Sequence, residues 1–218
     1  MSEINVAWVA ENFSENCVIF DIGCADLGDT TTFKTLLPDN SYYAFECSLF
    51  WKEQNEQRAP QLGINYFHVA MSDHTDGVQF YPSDIHEGQK WNWSGTTFKP
   101  GQVANLTWGE PYTVDSTTLN EFCKTHNVVA DFVHIDVEGA EFAVLNNMDH
   151  SIRPKAIWAE ICILALHDTN TNYTKFNQMM NDQGYTQIYI SNHDALYVRN
   201  DVELTPYPIA SQSVYTVG

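Results

Sequence analysis

Short apolar runs closed by turn residues recur along this chain, and they alternate with stretches of helical character. Cys17-Val18-Ile19-Phe20 is apolar throughout and ends in Asp21-Ile22-Gly23. A run of that kind predicts a strand buried on both faces. Asp29 to Leu37 reads as a helix, broken by Pro38-Asp39-Asn40. Tyr42 to Phe45 predicts a second strand ending at Glu46, Leu49 to Arg58 a helix, and Ile64 to Val69 a third strand. Order lapses between Ser72 and Pro111, a segment with five glycines, three prolines and three tryptophans. Asp76-Gly77 ahead of Val78-Gln79-Phe80 predicts a turn into a short strand. The rest of the segment shows no period and reads as a long loop, a feature that in a compact domain serves as a lid or binding element.

Regular pattern resumes at Tyr112 to Val114, a short extended piece. Ser116 to His126 reads as a helix with Ser116 or Thr117 as N-cap. Phe132 to Ile135 predicts a fourth strand, Glu141 to Met148 a helix, and Ala156 to Ile161 a fifth strand. Tyr173 to Gln183 reads as a helix closed by Gly184 in the C′ position. Tyr185 to Ile190 and Ala195 to Arg199 flank Ser191-Asn192-His193-Asp194, a loop length that predicts an antiparallel hairpin. Alternation of this kind predicts an α/β fold: a mostly parallel, seven-stranded sheet covered by helices, with an antiparallel hairpin at one edge. At 218 residues the chain fits a single domain, 1–218, with a long insert at about 72–111.

Charge narrows the choice of partner. The formal net charge is −18, with only 10 Lys plus Arg and no basic cluster. That balance excludes the cationic stripe a nucleic-acid partner requires, and it disfavours an anionic membrane surface. No run approaches the length of a membrane span, and the first residues show no signal-peptide pattern. The expected location is the cytoplasm. Cys17, Cys24, Cys47, Cys123 and Cys162 are scattered and form no C-x-x-C pair, which argues against both a zinc knuckle and a disulfide scaffold.

In an open parallel sheet, ligands bind beyond the carboxyl ends of the strands. The residues delivered there are Asp21 and Gly23 from the first strand, Glu46 from the second, and Ala70 and Met71 after the third. The fourth gives Asp136 and Glu138, and the fifth Glu160. Four of five strands thus end in a carboxylate, where helix capping alone would account for only some of them. Gly23 to Gly28 forms a glycine-bounded loop before a helix, which lets backbone approach a ligand. Glu46 follows Asp21 by 25 residues and ends the next strand, a place where an acid accepts hydrogen bonds from ribose hydroxyls. The helix start carries Asp29 and no Lys, which suits an adenosine cofactor without phosphates better than a dinucleotide.

His134-Ile135-Asp136-Val137-Glu138-Gly139-Ala140-Glu141 resembles the K-I-D-V-E-G-A-E signature of FkbM-type methyltransferases. The resemblance runs from about Val18 to Ile161 and takes in Phe20-Asp21-Ile22-Gly23, Phe45-Glu46, Val69-Ala70-Met71-Ser72-Asp73, Val114 with Thr118-Leu119, and Arg153-Pro154 before Ala159-Glu160. It implies a Rossmann-like class I methyltransferase fold, S-adenosylmethionine as cofactor, and O-methylation of a hydroxyl on a small molecule or glycan. Three departures stand out. The first loop is one residue longer than D-x-G-A-N-x-G, Cys47 stands where a proline often follows the ribose acid, and His134 replaces the signature lysine.

Several roles stay open at this level. Gly23, Cys24, Glu46, Cys47, Ala70 and Met71 are the expected cofactor contacts. Asp21 and Asp136 are alternatives for the cofactor's amino group. Asp136 and Glu160, joined by Glu138, could instead hold a divalent cation such as Mg2+ that acidifies the acceptor hydroxyl. Asp136 and Glu138 are the catalytic carboxylates, and His167 and His193 are candidate bases in loops. His134 shares a strand face with Phe132 and reads more simply as a core histidine. Trp91, Trp93 and Trp108, near Ser94-Gly95-Thr96-Thr97, suit a sugar acceptor or a self-packed lid. A dinucleotide oxidoreductase and a non-catalytic cofactor-binding protein are the competing functions.

Overall fold

The computed structural model describes residues 5–101, 105–146, 148–162 and 172–208. Its main sheet has seven strands: β1 (Val18–Ile22), β2 (Ser41–Phe45), β3 (Asn65–Phe67), β4 (Phe132–Ile135), β5 (Ala156–Glu160), β6 (Tyr185–Ile190) and β7 (Asp194–Arg199). Their order in space is β3-β2-β1-β4-β5-β7-β6. Strands β1 to β5 are mutually parallel, and β7 runs antiparallel to both β5 and β6. The fold is α/β, Rossmann-like and of the class I methyltransferase type. Strand order reverses between β1 and β4, so a crevice opens above their carboxyl ends.

Among the described residues six α-helices flank the sheet: α1 (Val6–Asn12), α2 (Gly28–Leu36), α3 (Leu49–Leu62), α4 (Leu119–His126), α5 (Glu141–Leu145) and α6 (Tyr173–Asp182). Alternation along the strands divides the core. Ile19, Phe132 and Trp158 face one side, with Trp8, Phe33 and Ala59 from α1 to α3. Phe20, Val133 and Ile157 face the other, with Phe122, Val144 and Phe176 from α4 to α6. Two hydrophobic layers therefore sandwich the parallel strands, which explains why those strands read as unbroken apolar runs.

Local chemistry moves some boundaries. Ser116-Thr117 does not cap α4; it pairs in parallel with Ala70-Met71. Thr118 is the cap, its hydroxyl accepting from Glu121 N at 3.1 Å. Helix α3 continues past Arg58 to Leu62, with Pro60 inside its last turn, and Gly63 closes it. Gly184 occupies a left-handed conformation after α6, as its C′ place predicts. Helix α1 has no counterpart in the sequence pattern. At seven residues it is too short to form alone, and it depends on burying Trp8, whose indole N–H donates to Thr205 O.

The 72–111 segment is more regular than its sequence suggests. Val78–Phe80 pairs antiparallel with Tyr112–Val114. Ser83–His86 lies between Gln89–Lys90 and Leu106–Trp108 in a small antiparallel sheet. Strands of two to four residues leave no period to read.

Phe132 is fully buried between Phe13 and Phe33, with ring centroids 5.3 and 5.8 Å away. Phe132→Ala should destabilise the fold by about 3–5 kcal/mol, read from its urea midpoint; a loss below about 1 kcal/mol would contradict this packing.

Candidate functional site

The site begins where β1 and β4 end. Gly23 has φ +88°. A Cβ there would stand 1.7 Å from Asp136 O, so no other residue fits. Asp136 N donates to Ile22 O at 2.9 Å, and Gly23 N and Cys24 N both donate to Phe45 O. The ends of β1, β2 and β4 are thereby tied into one rim. The loop that follows is tight, with Ala25 and Leu27 in left-handed conformations. Helix α3 braces it: Asn55 Nδ2 donates to Ala25 O at 2.6 Å and Arg58 Nη1 to Asp26 O at 2.9 Å.

Glu46 closes that rim from β2. Its Oε2 accepts from Ala25 N at 3.0 Å and its Oε1 from Ser48 N at 2.6 Å. Burial raises its carboxyl above the usual range, although these amide bonds oppose the shift. Two oxygens with one amide each still have lone pairs for a ligand.

The β4 end supplies a second set of acids. Glu138 is left-handed at φ +54° and is followed by Gly139 at φ +100°. Glu141, fully buried, holds this turn: its Oε1 accepts from Val137 N at 2.9 Å and Gly139 N at 3.3 Å. Burial pushes the Glu141 carboxyl up to about 8. Asp136, Glu138 and Glu160 each bring one oxygen within 4.8 Å of the others. Burial raises all three carboxyls, and their mutual repulsion raises Glu138 and Glu160 further.

Both sets of acids face one cavity of about 730 Å³. Gly23, Cys24, Glu46, Cys47, Ala70 and Met71 line one part of it, while Asp136, Glu138 and Glu160 line another. Trp91, Trp93, Ser94 and Thr97 of the insert line it as well, together with Trp51 of α3. Trp91 Nε1 donates to Ser94 Oγ at 3.0 Å, and the Trp51 and Trp93 rings lie 4.7 Å apart. Among the described residues that line the cavity there is no Lys, Arg or His.

Residues 21–186 match the family model described as the methyltransferase FkbM domain. The chain belongs to the FkbM methyltransferase family. By that membership it is an S-adenosylmethionine-dependent methyltransferase. No curated protein matches its sequence. Solved structures similar to this methyltransferase include precorrin-6y C5,15-methyltransferase from Geobacter metallireducens, with TM-score 0.49 and 12% identity over 88% of this chain and 84% of that one. Another is fibrillarin from Aeropyrum pernix with natively bound S-adenosyl-L-methionine, with TM-score 0.49 and 12% identity over 91% and 70%. A third is TrmK from M. capricolum with S-adenosyl-homocysteine, with TM-score 0.45 and 12% identity over 91% and 67%. Likenesses this distant leave the assignment to the family match.

Not every expected residue reaches the cavity of the methyltransferase. Asp21 lies beneath the rim, 1% exposed, where it accepts from the Thr30 hydroxyl and pairs with His134 Nδ1 at 2.8 Å. It shares a strand face with Ile19, and that face is covered by helices rather than open to the crevice. His193 is exposed and does not line the cavity; its carbonyl accepts from Ile161 N and Cys162 N. Trp108 also lies away from the lining, in the small sheet beside Ser83. His167 lies outside the described residues. Trp51, Asn55 and Arg58 carry no signal beyond their residue type, whereas Glu141 ends the His134–Glu141 signature without that pattern showing its bracing role.

The Asp21–His134 pair links β1 to β4 directly under the rim. Burial disfavours the imidazolium, but the hydrogen bond and charge of Asp21, with Asp29 and Asp136, outweigh it and raise His134 to about 9. The folded protein thus holds this proton more tightly than the unfolded chain. The pair's stabilisation is complete below about pH 6.5 and lost as pH rises toward 9, at most about 3 kcal/mol. The stability gap between wild type and His134→Gln should therefore narrow between those values in urea titrations; a gap independent of pH would contradict the pairing.

Proposed function

We propose that this methyltransferase moves the methyl group of S-adenosylmethionine to a hydroxyl oxygen of a small molecule or sugar. One observation carries the reading: a cavity with a backbone-anchored acid, Glu46, on one wall and three convergent carboxylates on another. In this account Glu46 accepts the ribose hydroxyls. Gly23, Cys24, Cys47, Ala70 and Met71 flank the adenosine, and Asp136 lies beside the cofactor's amino acid end or the acceptor. The insert at 72–111 covers the acceptor side. Trp91 and Trp93 offer ring faces to a sugar, and Ser94 and Thr97 offer hydroxyls.

Transfer is an in-line displacement. The acceptor oxygen forms a bond to the methyl carbon as the carbon–sulfur bond breaks, and sulfur keeps the electron pair. Holding the two reactants in line supplies much of the rate. The hydroxyl proton passes to Glu138, whose raised carboxyl is a stronger base in its ionised form than an ordinary glutamate. Charge supports a neutral or cationic acceptor, because no basic side chain among the described residues lines the cavity. No helix among the described residues is long and apolar enough to cross a membrane. A dinucleotide oxidoreductase, the other reading of a glycine loop followed by a ribose acid, gives way to the family match.

Calorimetry with S-adenosylmethionine tests the cofactor half. Glu46→Ala should weaken binding by roughly tenfold or more, and wild-type affinity in that variant would overturn the assignment. A panel of hydroxyl, amine and carbon acceptors tests the other half. Turnover should appear on hydroxyls and fall about 100-fold or more in Glu138→Gln. Turnover on amines alone would refute O-methylation, and binding without turnover across the panel would favour a non-catalytic protein.

A further inference from the structure

We infer that the main cavity adjoins an apolar annex that seats an alkyl or aryl substituent of the acceptor. The inference rests on the hydroxyl-acceptor reading and narrows it: the acceptor is an amphiphile, with its hydroxyl in the main cavity and its apolar part in the annex. The annex is a space of about 150 Å³ between the start of α3 and the insert. Four residues, Ser48, Phe80, Asn92 and Gly95, line both it and the main cavity. An apolar space of about this size takes a benzene ring.

The shared wall is built by close packing. A Cβ on Gly95 would overlap the tip of the Phe80 ring, so the insert lies directly on that ring. Phe80 is itself held by strand pairing opposite Tyr112, with ring centroids 5.4 Å apart. The hydroxyls around the annex are engaged by the protein's own chain. Ser48 Oγ accepts from Phe50 N at 3.3 Å, and Tyr112 Oη accepts from Leu49 N at 2.9 Å. Ser83 Oγ donates to Trp91 O and accepts from Ser94 N, both at 3.2 Å. The annex therefore chiefly offers a ligand the apolar faces of Leu49, Phe50, Phe80, Pro82 and Tyr112.

Two observations name the occupant. Leu49 and Phe50 line the annex yet are 52% and 57% exposed, so apolar surface is left in water that a ligand would cover. Their rings and stems also continue into the main cavity. The Phe50 and Trp51 ring centroids lie 4.6 Å apart and those of Trp51 and Trp93 4.7 Å, and both tryptophans line the main cavity. A space that holds one ring and shares its wall with the main cavity suits part of a small molecule, not a segment of a partner protein. The length and girth of the substituent then decide which alcohols are good acceptors.

Straight-chain alcohols, the simplest molecules with a hydroxyl and a tail, test the annex. The full chain is titrated calorimetrically with ethanol through 1-hexanol, with and without S-adenosylhomocysteine. About one 1-hexanol per chain should bind, with affinity rising about threefold or more per methylene. The double variant Leu49→Ala, Phe50→Ala changes only half-exposed side chains and should lose about fivefold or more of the 1-hexanol affinity. Ile190→Ala, an equally exposed apolar residue on β6, should change nothing. Absence of saturable 1-hexanol binding, affinity independent of chain length, or an equal loss in Ile190→Ala would overturn the annex. Hydroxyl methylation with no such binding would leave the hydroxyl-acceptor reading standing alone. Annex-dependent binding in a chain that methylates no hydroxyl compound would sink that reading and keep the annex for the apolar part of another acceptor.

Discussion

The contact between Gly23 and the backbone of Asp136 is the constraint on which the rest of this site depends. With 1.7 Å between a would-be Cβ and Asp136 O, the loops that follow β1 and β4 at the switch point can meet only through glycine. Their meeting brings residues more than a hundred positions apart to one rim. From it Glu46 is anchored by Ala25 N and Ser48 N, and Asp136 is set by its bond to Ile22 O. Underneath, Asp21, Thr30 and His134 clamp β1, α2 and β4 together with no contact to the cavity. Support and chemistry thus follow one another in layers along both strands. Asp21 and His134 hold the layer below, and Gly23 and Asp136 face the crevice.

Electrostatics sets the character of the cavity. A protein with net charge −18 could have confined its acids to the surface, yet six carboxylates line this cavity. Burial and mutual repulsion raise Asp136, Glu138 and Glu160, so the cluster competes for protons and cations alike. A sulfonium cofactor brings positive charge into such a space. His134 shows the same logic one layer down. Held as imidazolium, it gives Asp21 a cationic partner.

Much of this was legible in the sequence because the main strands are buried on both faces. Cys17 to Phe20 and Phe132 to Ile135 announce themselves as unbroken apolar runs, and their ends then place Glu46, Asp136, Glu138 and Glu160 at the crevice. Asp21 lies beneath the rim for a reason also present in the sequence. It falls in step with Ile19, as His134 does with Phe132, and both partners point into a helix-covered layer. Other features carry no such pattern. The short strands between Ser83 and Trp108 are defined by pairing, not by periodicity. Helix α1 exists because Trp8 finds a pocket formed partly by residues near 205. Glu141 stands at the start of the helix that the pattern predicts, and only the turn geometry shows it bracing the Val137 and Gly139 amides.

The most direct test of the account is a crystal structure of the chain with S-adenosylhomocysteine. The ribose hydroxyls should lie on the Glu46 carboxylate, with the sulfur turned from the Gly23–Asp136 junction toward Glu138 and Glu160. A cofactor product bound with its ribose away from Glu46, or with its sulfur remote from the acidic wall, would contradict it.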